Sequence, residues 1–296
     1  MTEAVQILSR GLGIGSVYAL LALGFVIIYK STRVISFAQP AFMLAGAVMV
    51  TYLVGPLGFF VAVPLAALGT AVLALGVERV AVRPMVGRPA FTVAIITLGV
   101  DVVVRVFASA FIGIELRQVG DPWGLKSTTI FGVEVQQRHL AMLLTTAVLV
   151  AVLFAFFRFT RMGLAMRAAA YDQEAAMAQG VSVGAVFAMS WAIAGGLAAV
   201  GGVFAATGGG SVEQTLWIIA LVALPVIILG GLDSLPGAVV GGLVVGVLQE
   251  VVAQYQQYFP EWVGGNVSVI TPYVVMLLVL LVRPYGLFGT REVERV

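Results

Sequence analysis

The feature that most constrains this chain is the recurrence of apolar runs of membrane-spanning length from one end to the other. Hydrophobic residues make up 61% of its 296 residues, and the mean hydropathy is +1.08, which excludes a water-soluble globular protein. The sequence therefore predicts an all-α, polytopic transmembrane helical bundle of about 8 to 10 spans. The runs lie at 11–29, 36–54, 59–77, 91–112, 139–157, 184–207, 216–232, 237–255 and 267–282.

The first run is predicted to remain in the protein as a span. The preceding MTEAVQILSR has one arginine and one acid, and the apolar run continues for about 19 residues without a small-residue cleavage pattern. The chain has no cysteine, which excludes disulfides and thiolate chemistry. Its net charge of +2 is too small to indicate a nucleic-acid partner.

The positions of the basic residues predict an orientation. Of the 16 Lys and Arg residues, eleven follow the odd-numbered spans, four lie on the opposite side and Arg105 lies inside a span. Because cytoplasmic loops carry the excess of Lys and Arg, we expect the N-terminus outside and the C-terminus in the cytoplasm. Trp123, Trp217 and Trp262 fall near the predicted outer boundaries, as aromatic belt residues do.

One polar, alanine-rich segment, FRFTRMGLAMRAAAYDQEAAMAQG at 157–180, interrupts the apolar runs. Its three arginines resist crossing a bilayer, and its alanines favour a helix. Arg167, Tyr171 and Glu174 stand at i, i+4 and i+7, which predicts one face of a short helix on the membrane surface. This periodicity leaves open whether the helix is a solvated connector or a docking site.

The sequence EAAMAQG, from Glu174 to Gly180, resembles the EAA loop with which bacterial ABC importer permeases dock on their ATP-binding subunits. Three other stretches, GLGIGSVYALLALGFVIIY, LGGLDSLPGAVVGGLVVGVLQEVV and VRPYGLFG, are more specific. Together they are similar to the permeases of branched-chain amino acid importers, in the subfamily of the shorter of two paired permeases. The similarity covers nearly the whole chain. One departure is SFAQP at 36–40, where the family usually has an N-F-A-x-G pattern.

The resemblance implies a single transmembrane permease domain over residues 1–296, with a coupling region at about 158–183 in the cytoplasm. It also implies three kinds of protein partner besides the lipid bilayer: a second homologous permease, two ATP-binding subunits and an extracytoplasmic substrate-binding protein. The location implied is the inner membrane of a bacterial or archaeal cell. The coupling residues would be Arg167, Tyr171, Glu174, Ala175, Ala176 and Gly180.

No cofactor or metal site of its own is expected in this chain. The nearest approach to a phosphate-binding loop is GFVIIYKST, where Tyr29 replaces the glycine that must precede the lysine and a membrane span replaces the strand and loop. His139, the only histidine, has no second metal ligand nearby. We therefore expect ATP and Mg on the partner subunits, and no enzymatic activity in this chain.

Three residues beside a predicted interruption of the second span are candidates for the translocation pathway. Pro40, Pro225 and Pro272 all fall in predicted spans, where proline removes a backbone hydrogen bond. Interrupted helices build substrate sites in many transporters. Pro40 coincides with the departure from the family pattern and stands beside Phe37 and Gln39. The alternative is that Pro40 only kinks the second span and has no part in a substrate site.

Asp101 and Arg105 lie inside the fourth predicted span, where each charge costs about 2.5 to 3.5 kcal/mol. An acid four residues before a base favours an ion pair within the helix. Arg105 could instead extend toward the outer surface. A third interpretation places one or both residues beside the pathway.

Two other functions remain open from the residues alone. A secondary transporter driven by an ion gradient needs buried acids or histidines in several spans, and this chain offers mainly Asp101. The second alternative is a membrane scaffold that transports nothing. The EAA-like loop argues against both the secondary transporter and the scaffold. The family's default substrates are branched-chain amino acids, but relatives with the same signatures carry urea, short amides or other carboxylic acids.

Overall fold

The computed structural model describes residues 2–85, 88–112, 117–130, 132–208, 211–259 and 267–290; Trp262 lies outside this part of the chain. These residues form helices and a two-stranded antiparallel hairpin of β1 (Ser127–Ile130) and β2 (Val133–Gln136). The helices are α1 (Thr2–Thr32), α2 (Gln39–Leu57), α3 (Phe59–Val77), α4 (Ala90–Ile112), α5 (Gln137–Phe159), α6 (Arg161–Tyr171), α7 (Gln173–Ala178), α8 (Val183–Ala205), α9 (Ile218–Leu221), α10 (Ala223–Gly230), α11 (Leu235–Tyr255) and α12 (Val267–Val282).

All nine predicted apolar runs form helices. Within the described residues, seven helical stretches are long and apolar enough to cross a membrane. The α9–α10 pair and α12 are shorter apolar stretches. The prediction of an all-α polytopic bundle is confirmed.

Hydrogen bonds between the connections that join successive helices show that these connections lie at two opposite ends of the bundle. At the first end, which we call the N-terminal face, Gln254 Nε2 donates to Glu3 at 3.2 Å and Arg138 Nη1 donates to the Thr207 carbonyl at 3.2 Å. At the second end, the α6–α7 face, Lys30 Nζ donates to the carbonyl of Asp233 at 2.9 Å. Within the described residues, successive connections alternate between these two faces.

The α9–α10 stretch crosses between the faces although its two helices have only four and eight residues. The chain enters it after Thr207 at the N-terminal face and leaves it before Asp233 at the α6–α7 face. At about 1.5 Å per residue, the helices are too short to span about 30 Å of hydrocarbon. Non-helical residues complete the crossing, and Val212 and Leu216 are accordingly buried in protein rather than exposed to lipid.

The centre of the bundle consists of α1, α2 and α8. Helix α1 packs most extensively against α11 and α8, and α8 also packs against α2 and α3. Small residues permit these approaches: a Cβ on Gly15 of α1 would lie 2.8 Å from the backbone oxygen of Gly242 in α11. Close backbone approach of this kind is how membrane helices gain packing energy without a hydrophobic driving force.

The prolines differ in their effects. Pro40 lies in the first turn of α2, where a missing N–H breaks no helical hydrogen bond, so the predicted interruption or kink there is wrong. Pro225 does interrupt a helix, because α9 ends at Leu221, whose carbonyl would clash with the proline ring four residues later. Pro272 lies inside α12, as predicted.

Candidate functional site

The side chain of Gln39 lies in the space between α1, α2 and α8. It is fully buried, and its Nε2 donates to the carbonyl of Ala194 in α8 at 3.3 Å. Its Oε1 has no hydrogen-bond partner among the described residues. Gly24 of α1 makes the room, because a side chain there would collide with the Gln39 amide. A buried acceptor is therefore held without a partner at the centre of the protein.

A buried donor, the indole N–H of Trp191, lies about one helical turn from Ala194, whose carbonyl Gln39 contacts. Trp191 of α8 stands three residues before Ala194, on the same face of the helix. The indole is 1% exposed and packs edge-on against Phe42 at 6.0 Å between ring centroids. Its Nε1 has no partner within the described part of the chain. Unpartnered buried polar atoms are rare enough to need an explanation, such as a bound water or a ligand.

Helix α4 brings a third polar group to the same region. Its buried stripe includes Thr97 and Asp101, one turn apart. Thr97 Oγ1 accepts a hydrogen bond from the backbone N–H of Phe37 at 3.0 Å, in the connection that leads into α2. Of the predicted pathway residues, Phe37, Gln39 and Pro40 lie at the start of α2, and Asp101 lies one turn after the α4 residue that bonds to Phe37. Phe37 takes part through its backbone, and its side chain is half-buried.

Asp101 and Arg105 form the predicted ion pair. The distances from Asp101 Oδ2 to Arg105 Nη2 and Nε are 2.7 and 2.8 Å. The guanidinium also lies 4.0 Å from the centroid of the Trp217 ring, so the half-buried Trp217 stacks on the half-buried Arg105 cation. We call Gln39, Thr97, Asp101, Arg105 and Trp191 the buried polar centre.

The position of Asp101 relative to α2 helps to explain how a carboxylate is accommodated there. Its Oδ1 lacks a normal hydrogen bond among the described residues, but the backbone of Ala41 is close enough to interact with the carboxylate. Ala41 lies in the first turn of α2, where amide groups have no partner within the helix. Negative charge at the amino end of a helix is stabilised by its dipole.

The polar segment at the α6–α7 face forms two helices rather than the single helix predicted. Thr160 caps α6 by accepting from the Gly163 N–H at 3.0 Å, and Asp172 caps α7 by accepting from the Ala175 N–H at 3.0 Å. Asp competes with the helix for backbone amides, which explains a break at this position. The predicted common face of Arg167, Tyr171 and Glu174 is therefore wrong beyond Tyr171.

Two hydrogen bonds attach this α6–α7 segment to the end of α1. Arg33 Nη2 donates to the carbonyl of Ala170 at 3.0 Å, and Gln173 Nε2 donates to the carbonyl of Ser31 at 2.7 Å. After α7 the chain turns through Gly180 directly into α8. The segment is thus bonded to α1 and continuous with α8, two of the three helices around Gln39.

The exposure of the predicted coupling residues is uneven. Ala176 is 5% exposed and faces the bundle, so the prediction that it lies at a contact surface is wrong for this residue. Apolar side chains that were not predicted are also exposed beside the polar ones: Leu164 at 60% and Met177 at 52%. Tyr171, which was predicted, is 94% exposed. The residues exposed as predicted are Arg167, Tyr171, Glu174, Ala175 and Gly180.

The backbone conformation at position 180 favours glycine, independently of any docking role. Its φ is +82°, a left-handed conformation that ends α7, and its N–H donates to the Met177 carbonyl at 2.9 Å. A Cβ on Gly180 would meet nothing within 4 Å. The conformation of the turn requires glycine here, whereas the space around it does not.

Residues 7–282 match the family described as the branched-chain amino acid transport system permease component. The chain belongs to this family. It is a multi-pass membrane protein and a permease component of a transport system.

Curated relatives match over nearly their full lengths. The high-affinity branched-chain amino acid transport system permease protein LivH of Salmonella typhimurium is 28% identical over 99% of this chain and 97% of its own length. The corresponding protein BraD of Pseudomonas aeruginosa is 27% identical over 99% and 98%. A probable LivH of Methanocaldococcus jannaschii is 24% identical over 96% and 92%.

A solved structure shares the fold. The structure of PsaBC from Streptococcus pneumoniae in complex with Fab matches with a TM-score of 0.51, at 15% identity, over 95% of this chain and 92% of that one. At this identity, the similarity concerns the arrangement of the helices alone.

Two of the stretches that carried the family resemblance contact each other at the α6–α7 face. In the permease, the N–H groups of Leu287 and Phe288 donate to the carbonyls of Leu229 and Gly230 at 2.8 and 3.1 Å. Asp233 Oδ2 accepts from the Thr290 hydroxyl. These stretches thus close the end of the bundle, which is a structural role.

Sequence reasoning missed an ion pair beside the α6–α7 segment. Glu78 is 1% exposed and pairs with Arg83, whose Nε lies 3.0 Å from Glu78 Oε1. Arg83 Nη2 also donates to the carbonyl of Gly184, near the start of α8, at 2.9 Å. Residues Glu78–Val82 form a π turn, a geometry frequent at functional sites. The signal was an acid followed five residues later by arginine at the end of a span.

Proposed function

We propose that this chain is the membrane-spanning permease subunit of an ATP-driven importer for branched-chain amino acids or a related small polar or carboxylate solute. It works beside a second homologous permease. Two ATP-binding subunits hydrolyse ATP, and an extracytoplasmic binding protein delivers the substrate. The family and the names of the relatives support the transport role and the choice of substrate.

The observation that carries the coupling part of the proposal is the exposure of the α6–α7 segment. Tyr171, Leu164 and Met177 place apolar surface outside the bundle, next to arginines that resist entering the bilayer. Exposed apolar patches rimmed by polar residues mark protein interfaces. We assign this surface to the ATP-binding subunits.

The attachments of the segment suggest how closure of the ATP-binding subunits reaches the pathway. A displacement of α6 and α7 pulls on the end of α1 through Ser31, and on α8 through the Gly180 turn. Helix α8 carries Ala194, whose carbonyl accepts from the Gln39 amide, and Trp191 three residues earlier on the same face. Packed elements that slide as rigid bodies are a common transmission mechanism.

The chemistry of the buried polar centre suits an amino acid. Gln39 Oε1 offers an acceptor to an ammonium group, and Trp191 Nε1 offers a donor to a carboxylate. We assign the opening of this centre to the transport cycle, with these two atoms contacting the solute or the water that accompanies it.

The test compares two exposed tyrosines on opposite faces. Tyr171 is 94% exposed at the α6–α7 face, and Tyr258 is 77% exposed in the turn that follows α11. Tyr171→Ala should reduce binding of the ATP-binding subunits by roughly tenfold or more, as expected for an aromatic interface anchor. It should also abolish ATP-driven uptake in vesicles. Tyr258→Ala is the matched control and should leave both unchanged.

The same vesicles test the orientation and the alternatives. ATP-binding subunits added to the medium should bind inside-out vesicles and not right-side-out ones, since we place the N-terminus outside and the α6–α7 face in the cytoplasm. Uptake driven by an ion gradient without these subunits would establish a secondary transporter instead. Absence of both binding and uptake would indicate a scaffold.

A further inference from the structure

A groove opens between the ends of α1 and α5 and the side of α6, at the α6–α7 face. Its volume is about 610 Å³, within the range of small-molecule sites. The deeper wall is apolar and includes Ile27, Ala151 and Phe154. The groove lies apart from the buried polar centre, none of whose residues lines it.

The rim of this groove is basic. Lys30, Arg158 and Arg167 line it, and no Asp or Glu does so among the described residues. Within the same part of the chain, none of the three forms an ion pair with a carboxylate. Lys30 uses one donor on the Asp233 carbonyl at 2.9 Å, which fixes its ammonium group and leaves further donors.

Two of the three basic side chains, those of Lys30 and Arg158, lie near the ends of membrane-spanning helices, at the depth of the membrane–water interface. Lys30 is two residues from the end of α1, and Arg158 is one residue from the end of α5. Basic side chains at the ends of spans lie at the level of lipid headgroups, with hydrocarbon below them. The groove therefore has cations at headgroup level and an apolar wall directed into the bilayer.

We propose that this groove binds one anionic phospholipid, with its phosphate between Lys30, Arg158 and Arg167 and an acyl chain along the apolar wall. Basic pockets between membrane helices bind such headgroups because charge complementarity adds to the apolar contact. A free anion would gain nothing from the apolar wall, and a zwitterionic lipid gains less from the cations. Because α6 forms one side, the lipid connects two spans to the α6–α7 segment.

The experiment measures lipid binding to the purified chain by native mass spectrometry. The probes are phosphatidylglycerol, phosphatidylcholine with the same acyl chains, and inorganic phosphate. We expect one phosphatidylglycerol to bind tightly, and phosphatidylcholine more weakly. The variant Lys30→Gln/Arg158→Gln should weaken phosphatidylglycerol binding by about fivefold for each charge removed. Arg161→Gln is the matched control, since Arg161 is exposed in the same segment and does not line the groove.

Three results would overturn the proposal. Equal binding of the two lipids would show that charge plays no part, and an equal loss in Arg161→Gln would show that the attraction is general. Displacement of the lipid by inorganic phosphate at similar concentration would indicate a free-anion site. A fourth measurement adds the ATP-binding subunits: if they occupy the groove and expel the lipid, it belongs to the protein interface. Failure of the transport proposal would affect none of these measurements.

Discussion

In most of the described chain, buried polar atoms have hydrogen-bond partners and apolar side chains lie in the bundle or face lipid. The buried polar centre and the α6–α7 segment depart from this arrangement in opposite ways. The centre places polar atoms of Gln39 and Trp191 inside an apolar bundle, without hydrogen-bond partners among the residues that the structure describes. The segment places the apolar surface of Tyr171 and Met177 outside it. Each arrangement costs free energy in the isolated chain. Both regions are therefore incomplete: the centre lacks a small polar species, and the segment lacks a protein partner.

The two costs differ in size and kind. An unsatisfied buried donor or acceptor costs about 1 to 3 kcal/mol, because it has lost water and gained nothing. Exposure of apolar area costs about 25 cal/mol per Å². This cost is spread over several side chains and is recovered only when a partner covers them. Substitutions in the centre should therefore affect folding and uptake, and substitutions in the segment should affect assembly.

The largest effect is expected at the ion pair of the centre. Asp101→Leu leaves the half-buried Arg105 without its carboxylate, which should lower the folded yield and destabilise the fold by less than the ~3 to 5 kcal/mol expected for a fully buried pair. The double variant Asp101→Leu/Arg105→Leu should restore the yield, because it removes both charges. Size-exclusion chromatography and thermal unfolding in detergent measure this.

Uptake by the double variant then separates the two roles of the pair. Full folded yield with lost uptake would place the pair beside the pathway. Normal uptake would show that the two charges only neutralise each other, and the centre would shrink to Gln39 and Trp191. A double variant that folds no better than Asp101→Leu contradicts the ion-pair account.

A smaller effect, on assembly rather than on the fold, is expected at Gly180. Any side chain at its φ of +82° is strained by about 1 to 2 kcal/mol, so Gly180→Ala and Gly180→Leu share this cost. Only leucine adds bulk to the surface. We expect both variants to lose a similar amount of stability, and only Gly180→Leu to lose the ATP-binding subunits in copurification. Equal retention by both would remove Gly180 from the docking surface.

The smallest effect is expected at Glu174, which is exposed in the first turn of α7. Glu174→Lys should weaken association by less than about 1 kcal/mol, because solvent screens a charge at the rim of an interface. Titration of labelled ATP-binding subunits measures the change, and Glu174→Gln separates loss of charge from its reversal. A loss of tenfold or more would mean that Glu174 lies inside the interface.

Local features of the sequence predicted much of the fold. Hydropathy predicted the nine apolar stretches, one of which forms the two short helices α9 and α10, because transfer of a side chain into hydrocarbon depends on that side chain alone. The i, i+4 spacing of Asp101 and Arg105 predicted their ion pair, since helix geometry fixes that distance. Boundaries were less certain: α2 begins at Gln39, three residues after the predicted start of its span, and Asp172 divides a segment that was predicted as one helix.

The sequence by itself determined which segments enter the membrane, the family to which the chain belongs and the polar character of the α6–α7 segment. Only the tertiary structure decided that Gln39 bonds to Ala194, that Trp217 lies on Arg105, and that Ala176 faces inward. The physical reason is that membrane insertion is a local free energy, which adds up along each helix. The partner of a polar atom depends instead on how helices distant in the sequence approach one another, which is decided by the packing of small residues across the whole bundle.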